Sequence, residues 1–433
     1  LMAEILPLKA WRYHDRFLEE LDHLMSPLFD VISSKQREIL YQNPFNSIHL
    51  SVPQGDDSLI LAKERLINWK KEQVIVQDPV PGIYVYYQYF RVSGDQKERC
   101  RKGFIAQIKA YDWEEKIILR HEDTRVAAVQ DRIDLLHATE IQSSPTHGLF
   151  VDPLKELEVH MDEAISQPLY ELEDYQGVRE VLGVIQDPEI IKKFIHTLKD
   201  QPIILADGHH RMEASIQYRM SKKENLTNSL WKASDYHLMY LTPVGGNDLM
   251  VLPTHRLFYG EISSQEKFLD KLSEWFQIRG FEDGEEFSTY SFTKPWSFGL
   301  IFNDRSYLIR LKPEKWQEVR PELPDSLRQV DLVILHDLVF DKVLGINPEE
   351  QKTTTEIGYE RNFARCLHEV QSGKASFAII TREIEMDQIL EVCKSGHVLP
   401  QKSTYFYPKT LGGLLFASIN QEEFDYDYSI FLS

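Results

Sequence analysis

The stretch "PIILADGHHRMEAS", residues 202–215, decides how the chain is read. Ile203, Ile204, Leu205 and Ala206 form a short apolar run of the kind that makes a buried strand. It runs straight into Asp207, Gly208, His209, His210 and Arg211, where helical spacing begins. A strand that feeds a helix through Asp-Gly leaves the first backbone N–H groups of that helix without intrahelical partners. Those donors, with the positive end of the helix dipole, make a seat for a phosphate or a carboxylate. Gly208 lets a ligand approach the backbone closely. Arg211 can grip two oxygens at once. His209 and His210 can donate hydrogen bonds or move protons near neutral pH, which makes His210 a candidate catalytic residue. Asp207 is at once the natural N-cap and a candidate ligand for a cation riding on the phosphate. The plainer reading, in which Asp207 only caps and Arg211 is solvated, needs neither the two histidines nor the arginine. His209 and Glu213 stand four apart and could share a metal on one helix face, but the HExxH order is absent and no metal ligand is assigned.

Outward from this junction the pattern alternates between strands and helices. "EIIKKFIHTLKD" is an amphipathic helix that delivers the chain to the apolar run. Further upstream, "TRVAAVQDRIDLLHATE" is helical, with Val126, Val129, Ile133 and Leu136 on one face. "IYVYYQYF" and "GFIAQIKAY" are aromatic and β-branched and read as paired strands. Before the turn signal at Pro79–Gly82 the chain is mainly helical, with a capping box at Ser33 and Gln36. Past Asn228, "YHLMYLTPV" and "DLMVLPT" read as strands, and "WSFGLIF" with "SYLIRLK" as a hairpin. "PDSLRQVDLVILHDLVFDKVL" reads as the longest helix, and "ASFAII" with "IEMDQILEVCKSG" as a strand-then-helix unit with a glycine stop. The expectation is an α/β chain with mixed sheets in two domains, residues 1–245 and 246–433.

The bulk numbers agree with this. A chain of 433 residues exceeds one ordinary core, and 42% hydrophobic, 11% aromatic and 27% charged residues describe a folded protein. Three cysteines without a CxxC pair indicate neither a structural zinc nor a disulfide framework, which fits a reducing cytoplasm. No apolar run is long enough for a membrane span, and no basic-then-apolar leader is present, so neither membrane nor export is expected. A net charge of −19 argues against a nucleic-acid partner and suits a small-molecule ligand.

Other polar clusters offer further chemistry. His121, Glu122, Asp123 and Thr124 sit at a strand-to-helix junction. There Thr124 could cap and Glu122 could serve as a general base, or the cluster is an ordinary solvated junction. Asp30 lies among apolar neighbours and reads as a base, a metal ligand or a turn residue. His255 and Arg256, just after a strand, read as a hydrogen-bonded structural pair or a site element. "LPQKSTYFYPK" gathers Lys402, Ser403, Thr404, Tyr405 and Lys409 between prolines. Its lysines could neutralise a phosphate and Ser403 could bind its oxygens, the alternative being a plain surface loop. There is no P-loop and no GxSxG elbow.

Five blocks in order, "FDVIS", "HEDT" with "DRIDLL", "ADGHHRMEA", "LPTHR" and "LPQKSTYFYPK", resemble the domain-of-unknown-function 1015 family of prokaryotic proteins. Phe29 stands where that family usually has Tyr. The Asp-Gly-His-His-Arg block also resembles the phosphate-binding signature of the ParB/sulfiredoxin-like fold, a superfamily that includes a free-serine kinase. That resemblance implies a ParB/sulfiredoxin-like core beside a second α/β domain, with phosphate held by Asp207, Gly208, His209, His210 and Arg211. It also implies ATP or ADP with Mg²⁺ as the cofactor. The function expected is a phosphoryl-transfer enzyme acting on a small hydroxylated metabolite, in the manner of a serine kinase. Lys402, Ser403 and Lys409 would help with the phosphate, and His210, Glu122 or Asp30 would handle protons. His121, His255, Arg256 and Tyr405 are further site candidates. The alternatives are a phosphatase of a phospho-metabolite and a non-catalytic nucleotide-binding switch.

Overall fold

The computed structural model describes residues 3–92, 96–222, 229–245, 248–281 and 294–432. The chain forms two compact units, and they are not separated by a single cut at 245/246. The first holds Leu1–Arg120, Thr124–Met250 and Pro408–Ser433, and the second holds His121–Asp123 and Val251–Tyr407.

The first unit is built on a mixed sheet of nine strands: β1 (Ile5–Leu6), β2 (Ile83–Phe90), β3 (Arg99–Lys109), β4 (Ile118–Leu119), β5 (Thr146–Phe150), β6 (Tyr170–Glu173), β7 (Arg179–Ile185), β8 (Ile203–Asp207) and β9 (Tyr236–Pro243). Their order is β4-β8-β5-β9-β3-β2-β7-β6, with β1 beside β3. The aromatic, β-branched runs of β2 and β3 pair antiparallel from Tyr84↔Ile105 to Phe90↔Arg99. β5 pairs parallel with β9, and β8 pairs parallel with β4. Period-2 alternation sends Val85, Phe104 and Ile108 into one core and Tyr84, Tyr86 and Ile105 into another, so both faces are covered.

Helices of this unit include α1 (Ser34–Leu40), α2 (Ser58–Lys71), α3 (Val126–Thr139), α4 (Pro188–Lys199) and α5 (His209–Ser221), and the helix Glu158–Ile165 packs on β7. The capping box at Ser33 and Gln36 is present at α1. Asp187 caps α4, Pro188 occupies its first turn, and Ile191, Phe194, Ile195 and Leu198 are buried. Phe194 meets Phe104 edge to face at 4.8 Å. On α3, Val129, Ile133 and Leu136 pack with Ala214 and Tyr218 of α5. Val126, expected on that face, is 86% exposed. Thr124 does not cap α3: Arg125 holds the cap position and no side chain caps it.

The second unit carries an antiparallel sheet of six strands: β10 (His255–Phe258), β11 (Phe276–Phe281), β12 (Ser297–Ile301), β13 (Ser306–Leu311), β14 (Ile357–Glu360) and β15 (Phe377–Ile380), in the order β11-β13-β12-β15-β10-β14. The expected hairpin is β12 with β13. The helix Met386–Ser395 ends, as its glycine indicates, at Gly396 in the left-handed region. The stretch expected as the longest helix is broken instead. It forms Asp325–Arg328, then Asp331–Leu335, then wider π-type turns over His336–Val343. The run from Asp331 to Phe340 is buried throughout, so His336 must find partners inside. It accepts from Arg256 Nε at 3.2 Å and meets Gln351 Oε1 at 2.8 Å. An apolar run alone does not reveal such a demand.

Phe194→Ala should cost about 3–5 kcal/mol by opening a cavity under the sheet. Val126→Ala should stay within about 0.5 kcal/mol. Urea unfolding of the two variants checks both, and equal midpoints would refute the packing described.

Candidate functional site

The strand-to-helix junction is made by Gly208. Its φ of +90° lies in the left-handed region, and a Cβ there would come within 2.6 Å of Thr146 Cγ2 and 2.9 Å of Arg211 Nη2. Gly208, not Asp207, is the N-cap of α5, and no side chain caps the helix. The expectation that Asp207 caps is therefore corrected: its carboxylate is engaged elsewhere. It accepts a hydrogen bond from Lys409 Nζ and lies 3.6 Å from Arg211 Nη2.

Both cations are buried, Lys409 at 5% exposure and Arg211 at 8%. Burial opposes ionisation of Asp207, but Lys409 and Arg211 outweigh it and hold the carboxyl below the usual range. Burial also draws the Arg211 guanidinium below its ordinary value, against the pull of Asp207 and Asp30. Arg211 Nη1 donates to Ser144 Oγ at 2.9 Å and to the Pro145 carbonyl at 2.7 Å. Its Nε and Nη2 have no hydrogen-bond partner among the described residues. His209 is buried, and His210 Nε2 accepts from the Arg125 N–H at 3.1 Å. Glu213 is occupied by Trp113 and Gln217. Asp30, expected among apolar neighbours, is exposed, though its charge reaches Arg211.

Lys409 is placed by residues that motif reasoning passed over. Glu180 of β7, Gln88 of β2 and Arg101 of β3 are direct cross-strand partners, and all three are buried. Gln88 Nε2 donates to the Lys409 carbonyl at 3.1 Å and to Glu180 Oε1 at 3.2 Å, while Arg101 Nη2 donates to the Pro408 carbonyl. Burial, with the nearby charge of Asp174, pushes the Glu180 carboxyl well above its usual range. His147 of β5 pairs with Asp207 in register and stacks on Tyr240 at 5.2 Å. Burial, aided by the charge of Arg101, holds its imidazole well below the ordinary value. The signal for these residues was positional: polar side chains at strand positions whose neighbours two residues away point into a core.

The remaining expected residues belong to the second unit. Glu122 Oε1 accepts from the N–H and the hydroxyl of Thr404, both at 3.2 Å, and His121 Nε2 meets the same hydroxyl at 2.8 Å. Ser403 is buried and donates to the Pro400 carbonyl. Lys402 sits in the left-handed region of the turn, and Tyr405 lies under the Arg361 guanidinium at 3.8 Å. His255 and Arg256 open β10, just after the short strand Met250–Leu252, as expected. Burial lowers His255 to about 4 and Arg256 to about 10. Arg256 spends its donors on His336 and the carbonyls of Thr254 and Gln401, which makes the pair a structural knot.

A family model described as "Protein of unknown function (DUF1015)" matches residues 5–333. No curated protein matches the chain. Among solved structures, a conserved hypothetical protein from Pyrococcus furiosus is 14% identical with a TM-score of 0.34, over 70% of this chain and 90% of its own. A free serine kinase in complex with AMP is 14% identical with a TM-score of 0.37, over 74% and 93%. A truncated SbnI from Staphylococcus aureus is 9% identical with a TM-score of 0.38, over 75% and 92%. Likenesses at this level leave the chemistry to the chain's own residues.

Asp207 is held ionised where a free carboxyl, with a value of about 3.9, would take up a proton. Its contribution to stability is therefore full above about pH 4 and is lost as pH falls toward the lower folded value. Asp207→Asn should flatten the loss of stability between about pH 5 and pH 3 relative to the wild type, measured by urea unfolding. An unchanged slope would show that Lys409 does not hold the carboxylate. Gly208→Ala should cost at least about 1 kcal/mol, the strain of forcing a Cβ into that conformation.

Proposed function

We propose that this chain, which belongs to the DUF1015 family of proteins of unknown function, transfers a phosphoryl group to a small hydroxylated metabolite, with the phosphates seated at the first turn of α5. One observation carries the reading. An uncapped helix N-terminus, entered through a glycine whose Cβ would crowd Thr146 and Arg211, stands beside a buried group of two cations and one carboxylate. Backbone N–H groups and nearby cations are what a phosphoryl group needs, because its transfer depends on positioning and charge neutralisation.

Lys409 and the first-turn backbone would hold the oxygens, with Arg211 supplying charge behind them. His210 is the proton-handling group on the helix: a neutral ring that accepts at Nε2 carries its proton on Nδ1. Asp30, exposed and within electrostatic reach of Arg211, is the unit's candidate base toward an acceptor hydroxyl. ATP or ADP is the donor class that fits, since its phosphates match this seat. Among the described residues no group of three or more His, Cys, Asp and Glu could hold a metal ion. Asp207 is already engaged by Lys409 and Arg211, so a magnesium ion would come with the nucleotide and would offset its phosphate charge.

³¹P NMR of the purified protein with ATP or ADP, Mg²⁺ and a pool of hydroxylated acceptors tests the reading. Nucleotide turnover only in the presence of an acceptor is expected. Release of phosphate from phospho-metabolites without an acceptor would make the protein a phosphatase, and binding without turnover a switch. The charge-balanced double variant Asp207→Asn with Lys409→Met should weaken ADP binding by about tenfold or more. Undiminished affinity would place the phosphate elsewhere.

A further inference from the structure

Behind the first turn of α5, within the first unit, lies a small cavity that meets the proposed phosphate seat at Arg211. Its walls come from α3 and α5 and from the segments around Phe29 and Gln142. The space open to the centres of water-sized groups is about 50 Å³. One water needs roughly 10–15 Å³ on that measure, so the cavity accommodates a molecule of a few heavy atoms. Phe29, Leu135, Leu136 and Ala214 give it an apolar side.

Its polar side is incomplete. Ser51 Oγ and Arg211 Nε and Nη2 belong to residues that line the cavity, all three atoms are buried, and none has a hydrogen-bond partner among the described residues. Ser51 is 5% exposed and Arg211 8%. Buried donors of this kind are costly unless something pairs them. Most of the other polar residues of the wall are already paired. Ser215 Oγ and His237 Nδ1 are 2.6 Å apart, and His237 Nε2 meets Thr146 Oγ1 at 2.9 Å. Burial, with the charge of Arg211, lowers His237 to about 3, so it adds no cation. Arg132 is matched by Asp131 and by the Ser51 carbonyl. Arg211, whose Nη2 also lies 3.6 Å from Asp207, is the cation of this wall with donors left over among the described residues, and that one guanidinium edge suits a monoanion better than a dianion.

We infer that this cavity binds a small carboxylate bearing a second hydrogen-bonding group, a hydroxy acid or an amino acid. The carboxylate oxygens take the Nε–Nη2 edge of Arg211, the second polar group takes Ser51 Oγ, and the carbon skeleton lies against Phe29 and Leu136. That the bound molecule is the phosphoryl acceptor rests on the function proposed above; that the cavity binds it does not.

Isothermal titration of the wild-type chain with glycolate, L-lactate and L-serine, with inorganic phosphate, ADP and ethanol as comparisons, tests this. At least one carboxylate should bind and ethanol should not. Ser51→Ala should weaken that carboxylate by about fivefold, and Leu136→Trp, which fills the cavity, should abolish its binding. Both variants should bind ADP as the wild type does. Failure of all three carboxylates to bind would overturn the inference. So would undiminished binding by Ser51→Ala, or displacement of the carboxylate by inorganic phosphate. Should Leu136→Trp fail to fold by near-UV circular dichroism, Ser51→Ala decides alone. Carboxylate binding without any nucleotide binding would sink the phosphoryl-transfer reading and leave the cavity assignment standing.

Discussion

A carboxylate at the end of a buried strand must be neutralised where it stands. Asp207 meets that demand with Lys409, 202 positions further along the chain. The pairing governs the rest of the junction. With its carboxylate committed to Lys409 and Arg211, Asp207 cannot cap α5, and the turn falls to Gly208 in a conformation that other residues resist. An unprotected helix N-terminus follows directly. Breaking a buried pair of this kind typically costs about 3–5 kcal/mol, because the surviving charge is left without a partner.

Lys409 depends in turn on a polar row inside the sheet. Glu180, Gln88 and Arg101 lie side by side on three adjacent strands, facing a core otherwise made of Tyr84, Tyr86 and Ile105. Each of the three would be a liability alone. Together they share their hydrogen bonds, and Gln88 and Arg101 pass what remains to the carbonyls of Lys409 and Pro408. The row thus exchanges some packing energy for a fixed backbone position under the lysine ammonium. His147 and Asp207 extend the same polar character to the strands on the far side of Tyr240. The site is in this sense part of the sheet rather than an addition to its edge.

Much of this was readable from local pattern. Strand patterns placed β2, β3, β8 and the β12–β13 hairpin, a capping box placed α1, and amphipathic spacing placed α4. Helix starts without a side-chain cap were less visible: nothing in "HEDTRV" distinguishes Thr124 as a cap from Arg125 as an uncapped start. The broken stretch at His336 depended on an arginine 80 positions earlier, which periodicity does not see. At the candidate site the Asp-Gly-His-His-Arg block declared itself through residue types that no cap requires. Its partners did not, because Gln88, Arg101 and Glu180 look like ordinary strand residues until the cross-strand register brings them together. Lys409 drew notice for its charge, while its actual partner, Asp207, lies beyond any local window. Glu122, Lys402 and Ser403 had suitable chemistry, but Glu122 and Ser403 bond within the second unit.

The return of Pro408–Ser433 to the first unit bears on how the chain is made. A ribosome releases residues in order, so α5 and its strand emerge long before the lysine that balances Asp207. Until then the first unit holds a carboxylate and a polar row prepared for a backbone segment that does not yet exist. The second unit, by contrast, has all of its sequence in hand once Tyr407 appears. Domains usually mature from the N-terminal end during synthesis. Here completion is inverted: the last segment of the first unit, Pro408–Ser433, is made only after the whole of the second unit's sequence.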